Sequence, residues 1–379
     1  MTSHVCVVLG TRPEAIKLAP VVAELGRHPH FRSSLVLTGQ HRQMVAQVLD
    51  LFELRPDRDL EIMQPKQSLS EITCRSLAGL GEVFRELQPD LVLVQGDTTT
   101  AFAASLAAFY QQIPLGHVEA GLRTNDLFSP FPEEANRRLI SQLAQLHFAP
   151  TPSAVNNLEL AHVTGKVYMT GNTVIDALLY VAEQIKRSPD LFTIEGIDWS
   201  KYRWILATLH RRENWGLPLQ QIAQAWLEIL AEFPEAALLL PLHLNPVVRE
   251  PLQQILAAHP RVFLVEPLSY GQLVAGLQHC ELVMTDSGGL QEEAPSLGKP
   301  VLVLRDTTER PEAIAAGTAR LVGTETAAIV GAARELLGDR ASYDRMAHCI
   351  NPFGDGRAAV RICALIHQYF LDQRSGSFY

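Results

Sequence analysis

The chain holds 379 residues, more than the ~250–300 that one hydrophobic core usually serves, so two domains are expected. An apolar share of 47% against 19% charged residues fits a folded soluble protein rather than a disordered or fibrous one. The formal charge of −9 argues against nucleic acid or an anionic membrane as a main partner, and leaves room for an acidic ligand wherever cations gather locally.

Short apolar runs alternate with amphipathic segments along the whole chain, the βα rhythm of a parallel sheet covered on both faces. The pattern predicts strands near 5–9, 35–38, 91–95, 115–119, 146–149 and 167–169. Helices fall near 13–26, 41–51, 70–87, 99–110, 133–145 and 153–161, with Ser68 and Glu71 spaced as a capping box for the third. After a predicted helix over Val174–Arg187 comes a mixed polar segment, Ser188 to Lys201, which reads as a linker. The rhythm restarts with strands near 203–208, 236–240, 262–265, 282–285, 301–304 and 319–322, and residues 357–371 form a last amphipathic segment. Two successive doubly wound α/β domains follow, expected over residues 1–172 and 173–359.

The cysteines, Cys6, Cys74, Cys280, Cys349 and Cys363, are odd in number and lack Cys-x-x-Cys spacing, so they read as reduced packing residues of a cytoplasmic protein. The first residues enter a short strand without a basic region and a long apolar segment, so no signal peptide is expected. No apolar run approaches the ~20 residues of a membrane span.

In open α/β sheets ligands bind beyond the carboxyl ends of the strands, so the polar residues just after each strand matter most. The strand at 282–285 runs into Asp286-Ser287-Gly288-Gly289-Leu290-Gln291-Glu292-Glu293. Such a turn aims free N–H groups and a helix N-terminus at one point, and its glycines admit a close ligand. Two readings stay open here: a phosphate site with one glutamate taking neighbouring hydroxyls such as those of a ribose, or a strand-to-helix turn whose glycines serve packing.

The first strand leads into Gly10-Thr11-Arg12-Pro13-Glu14-Ala15-Ile16-Lys17, where Arg12 and Lys17 could reach an anion or simply be solvated. Asp97 follows the third strand and is either a functional acid or a helix cap. Glu119 closes the fourth strand, where a charge needs a partner. Glu133 opens the next helix, where the dipole alone would favour it. His210 and His243 follow the first two strands of the second half and suit proton transfer, phosphate binding or a structural hydrogen bond. There is no G-x-G-x-x-G after the first strand, no Walker motif and no His/Cys cluster at metal spacing, so neither a dinucleotide cofactor nor a metal is expected.

Taken in order, the blocks GTRPEAIKLAP (10–20), TGQHRQM (38–44), VQGDTTT (94–100), HVEAGLRT (117–124), PFPEEANRR (130–138), GNTVIDA (171–177), HRREN (210–214), HLNP (243–246), DSGGLQEEAP (286–295), TERPE (308–312) and NPFGDGRA (351–358) resemble the bacterial non-hydrolysing UDP-N-acetylglucosamine 2-epimerases over nearly the whole chain. The resemblance implies two Rossmann-like doubly wound domains facing across a cleft, of GT-B type, with the last helix, 360–379, packing back on the first domain. It implies a homodimer without cofactor that converts UDP-GlcNAc reversibly to UDP-ManNAc, by elimination and re-addition of UDP through 2-acetamidoglucal, for surface polysaccharide.

Carried over residue by residue, Asp97, Glu119, Glu133 and His210 match the family's catalytic set. Ser287, Gly288 and Gly289 would hold UDP and Glu293 the ribose, with Arg12, Lys17, His243 and Arg310 around the diphosphate or sugar. Leu268 and Leu273 lie in the uracil-side stretch, Leu273 standing where the family commonly has an aromatic. Gln40, His41 and Gln43 match residues that bind a second, activating UDP-GlcNAc in some members, and Lys66 replaces an expected arginine and so lacks its bidentate fork. The alternatives carried forward are a C2 epimerase of a UDP-2,3-diacetamido uronic acid, a GT-B glycosyltransferase, and a nucleotide-sugar-binding regulator without turnover.

Overall fold

The structure, a computed structural model, describes residues 2–64, 66–124 and 126–375. The chain divides into two compact units: one takes in the chain up to Ala177 together with the segment from Phe353, the other is Leu178–Pro352.

The first unit carries a sheet of β1 (Ser3–Leu9), β2 (Phe31–Leu37), β3 (Arg58–Asp59), β4 (Leu91–Gln95), β5 (Leu115–Val118), β6 (Leu146–Ala149) and β7 (Lys166–Met169). Their order is β3-β2-β1-β4-β5-β6-β7 and every pairing is parallel. The expected strands are all present; β3 escaped prediction because two exposed polar residues carry no apolar signal. The middle strands are buried on both faces, which is why they read as continuous apolar runs. Val8, Val92 and Val94 pack against Leu80, Phe84 and Ala104 of the covering helices. Ser68 caps its helix as expected, its hydroxyl accepting from Glu71 N–H while Glu71 accepts from Ser68 N–H at 2.7 Å.

The C-terminal helix, Ala358–Ser375, belongs to this unit, and residues 376–379 of the expected helix lie outside the described residues. Asp176 caps it by accepting from Ala358 and Ala359 N–H, and Arg361 reaches Thr170 O at 3.1 Å.

The second unit carries β8 (Arg203–Thr208), β9 (Ala236–Pro241), β10 (Val262–Val265), β11 (Cys280–Thr285), β12 (Val301–Val303) and β13 (Ala319–Leu321), ordered β10-β9-β8-β11-β12-β13 and again all parallel. Its core gathers Ile205, Leu238, Met284 and Leu302 under Trp226, Ile229 and Leu336. The polar segment 188–201, read as a linker, lies inside this unit. Its physical reason is Phe192, at the end of a short 3-10 helix, whose ring covers Gly271 so closely that a Cβ there would lie 2.4 Å from it.

Both sheets reverse direction of strand order once, between β1 and β4 and between β8 and β11. A doubly wound sheet opens a crevice at that switch point, beyond the strands' carboxyl ends. The candidate residues of both units cluster there.

Candidate active site

In the first unit, a cavity of about 430 Å³ lies at the carboxyl ends of β1, β4 and β5, lined among others by Lys17, Gln40, His41, Asp97, Glu119 and Glu133. The structure thus brings together three predicted catalytic acids, one predicted diphosphate ligand and two of the four predicted activator residues. Arg12 is exposed at the first position of its helix. Gln43 and Lys66 are exposed and do not line this cavity.

Glu119 follows β5 in the left-handed region, φ +60°, a conformation that costs a non-glycine residue on the order of 1 kcal/mol. The surroundings hold it there: Lys17 Nζ donates to both carboxylate oxygens at 2.5 and 2.7 Å, Asn172 Nδ2 to Oε1 at 2.9 Å, and Gln95 Nε2 to Oε2. The partner this buried charge demands is therefore Lys17, which had been read as a ligand to the substrate's anion.

Asp97 does not cap the helix Thr99–Tyr110; Thr98 does, accepting from Ala101 N–H at 3.0 Å. The Asp97 carboxylate is left for the cavity, paired with Arg137 at 2.6 Å, and a quarter of its side chain stays open. Burial raises its pKa; Arg137 opposes this, and Glu119 adds to it. Glu133 opens the helix Glu133–Leu143, half-buried, where the dipole favours it.

A fourth acid supports the others without reaching the cavity. Glu14 is fully buried; its Oε2 accepts from Gly10 N–H, Thr11 N–H and Thr11 Oγ1 at 3.0, 2.7 and 2.7 Å, and its Oε1 from Thr98 Oγ1 at 2.6 Å. Burial pushes its pKa up against those donors. Glu14 ties the β1 turn to the β4 turn that carries Asp97. Its spacing from Thr11, T-x-x-E, is the signal that could have found it. Beneath, His117 donates from Nε2 to Gly96 O at 2.7 Å, and burial lowers its pKa to about 3, so it stays neutral.

In the second unit, Asp286 is fully buried at the end of β11. Its Oδ2 accepts from the N–H groups of His210 (2.8 Å) and Arg211 (2.7 Å) and from Asn214 Nδ2 (3.1 Å), while Oδ1 makes an ion-pair contact with His210 Nδ1 at 2.8 Å. Burial alone would raise the pKa of Asp286, but the donors outweigh it, His210 first, and the net shift is downward. With Nδ1 turned to this carboxylate, His210 presents Nε2 outward on a ring 39% exposed. The His243 ring stacks beside it at 6.3 Å between centroids, its own Nδ1 accepting from Asn245 N–H at 3.2 Å.

The turn itself opens a short helix, Gly288–Glu293. A Cβ on Gly288 would meet the guanidiniums of both Arg211 and Arg310 at 3.8 Å, so two cations flank the N–H groups of the first helical turn. Arg211 also pairs with Glu309 at 3.0 Å. Glu292 and Glu293 sit at the far end of this helix; both are buried, with Glu292 bound by Arg310 and Glu293 accepting from Tyr270 Oη at 2.9 Å. Leu268 and Leu273 are half-buried around Ser269, the cap of the helix Tyr270–His279.

Among the described residues, no group of three or more His, Cys, Asp or Glu side chains could hold a metal ion, and no helix is long and apolar enough to cross a membrane. Sequence reasoning had no role for Glu14, Gln95, Arg137, Asn172, Tyr270, Arg211 or Asp286, since each works through a partner on another element.

Two doubly wound α/β units, with acids gathered at one switch point and an imidazole–guanidinium cluster around a Gly-rich turn at the other, define a two-domain α/β protein with titratable groups at both switch points. The family model described as UDP-N-acetylglucosamine 2-epimerase matches residues 23–367. The UDP-N-acetylglucosamine 2-epimerase of Escherichia coli (strain K12) is 52% identical over 364 residues, covering 94% of this chain and 96% of its own length. The crystal structure of UDP-GlcNAc 2-epimerase from Neisseria meningitidis bound to UDP-GlcNAc matches with a TM-score of 0.88 at 50% identity, covering 96% of this chain and 100% of that one. Sucrose-phosphate synthase from Thermosynechococcus elongatus shares the fold alone, with a TM-score of 0.64 at 13% identity over 97% of this chain and 99% of its own. The chain belongs to the UDP-N-acetylglucosamine 2-epimerase family, and its fold class is the expected pair of doubly wound α/β domains.

Proposed function

We propose that the protein interconverts UDP-GlcNAc and UDP-ManNAc by eliminating and re-adding UDP. The observation that carries this reading is the first unit's cavity, which gathers Asp97, Glu119 and Glu133 in a chain of this family. The C2 hydrogen of the sugar is not acidic, so inversion needs a detour: the C1–O bond to UDP breaks as a carboxylate takes the C2 proton, giving 2-acetamidoglucal. UDP then returns to C1 and a proton reaches the opposite face of C2.

The acids' environments suit different roles. Asp97, with its raised pKa, suits proton transfer at C2 on one face of the sugar, the opposite face needing a second group; Glu119 is held beside it by Lys17, Asn172 and Gln95. In the second unit Ser287, Gly288 and Gly289 hold the departing diphosphate, with Arg310, Arg211 and His243 offsetting its charge and Glu293 on the ribose. His210, fixed by Asp286, offers a hydrogen bond or proton to the leaving oxygen. Leu268 and Leu273 border the base.

Proton NMR in D2O with UDP-GlcNAc tests the reading. UDP-ManNAc deuterated at C2 is the expected product; free ManNAc, or no change, overturns it. Gln40 and His41 share the cavity wall with the acids and support a second UDP-GlcNAc acting as activator. Strictly hyperbolic velocity, together with turnover of UDP-ManNAc alone, would remove that activator. The homodimer and the cytoplasm complete the proposal, the latter supported by the five free cysteines; light scattering on the purified protein tests the dimer.

A further inference from the structure

Tyr270 opens the helix Tyr270–His279 behind the Gly-rich turn, and its buried hydroxyl donates to Glu293 Oε1 at 2.9 Å. The other carboxylate oxygen points elsewhere: a Cβ on Gly289 would meet Oε2 at 3.7 Å and Ser287 Oγ at 3.8 Å. Gly289 is exposed, so Oε2 is turned toward the open side of the turn while Oε1 is tied to the interior. The terminal torsion of a glutamate is broad and roughly two-fold, so fixing one oxygen fixes the direction of the second. The phenol stays a donor throughout the working range, because burial first and the Glu293 charge second hold its pKa well above the ordinary value.

We propose that Tyr270 is a positioning residue that sets the sugar selectivity of the nucleotide site: by pinning Oε1 of Glu293 it presents Oε2 to the hydroxyls of a ribose. This rests on the reading of the turn as the UDP site. A buried acceptor aimed at a hydroxyl favours a ligand that carries it over one that lacks it, because that contact is lost with the hydroxyl. A phenol that merely filled space would affect stability and treat ribose and deoxyribose nucleotides alike.

The test compares kcat/KM for UDP-GlcNAc and for its 2′-deoxyuridine analogue in wild type, Tyr270→Phe and Glu293→Gln, with UDP and 2′-deoxy-UDP titrated calorimetrically into the same proteins. Tyr270→Phe keeps the ring and should lower the ribose-over-deoxyribose preference about tenfold, the size of one lost hydrogen bond to a charged group, with KM rising more than kcat falls. Tyr270→Leu, a second variant without the donor, should show the same loss. If Glu293→Gln loses the preference while the folded Tyr270 variants keep the wild-type ratio, Tyr270 has no positioning role and the UDP reading stands. If Glu293→Gln also keeps the ratio, the ribose contact itself is wrong and the proposal falls with it.

Discussion

At the β1/β4 switch point the candidate side chains are acids steadied by Lys17 and Arg137; at β8/β11 they are imidazoles and guanidiniums steadied by buried acids. Strand order is the same in both sheets apart from the extra edge strand β7 of the first, so topology chose the place and the strand-end residues chose the charge. The two aspartates make the contrast sharp. Asp97 accepts one arginine and has its pKa raised by burial; Asp286, more deeply buried, accepts three aligned donors and an imidazole contact and has its pKa lowered. What a buried carboxylate does is decided by the balance of burial against its donors and neighbouring charges: Glu14, with four neutral donors, still has its pKa raised.

The largest effect expected from breaking this contrast is on turnover. Asp97→Asn should cut kcat by about a thousandfold, within the range for removing a proton-transfer group. UDP affinity measured by calorimetry should hold within about twofold, since the nucleotide groups belong to the other unit. Near-wild-type turnover would remove Asp97 from the chemistry. Lys17→Met comes next: with its cation gone, Glu119 keeps the neutral donors Gln95 and Asn172, and kcat should fall about a hundredfold. The pH–rate profile should change along with kcat; an unchanged profile would mean Lys17 serves the substrate instead. Asp286→Asn should cost about 2–3 kcal/mol of stability in urea, because charge-assisted bonds to His210, Arg211 and Asn214 weaken together.

The fold was legible because parallel strands buried on both faces are continuous apolar runs, as at Leu91–Val94 and Leu282–Met284. The rim residues Asp97, Glu119 and His210 were legible because a polar side chain directly after such a run has few bland explanations. Their supports were not. Glu14 needs Thr98, Glu119 needs Asn172 and His210 needs Asp286, pairs separated by tens of residues, and no local period reveals which strand ends become neighbours. The polar segment 188–201 misled for the same reason, since tertiary contacts such as Phe192 on Gly271 and Trp199 on His279 are what show that it belongs to a unit.

The smallest expected effect is the most specific to the contrast, because the two aspartates should give stability slopes of opposite sign with pH. The folded pKa of Asp286 lies below its unfolded value, so its contribution is fully present above about pH 4 and is lost as pH falls through the folded value. The folded pKa of Asp97 lies above its unfolded value, so folding favours its protonated form; that advantage is present below about pH 4 and is lost as pH rises through the folded value. Melting temperatures of wild type and both asparagine variants across pH 3–7 read the difference. The deficit of Asp286→Asn should be widest near pH 7 and close toward pH 3. Asp97→Asn should show no deficit near pH 7, since a neutral side chain there avoids the net cost of the buried charge, and Arg137 still has Glu134 at 3.4 Å. If both variants instead lose stability in parallel as pH rises, the donors around the two carboxylates do not differ in effect, and the assignment of a proton-carrying role to Asp97 loses its electrostatic basis.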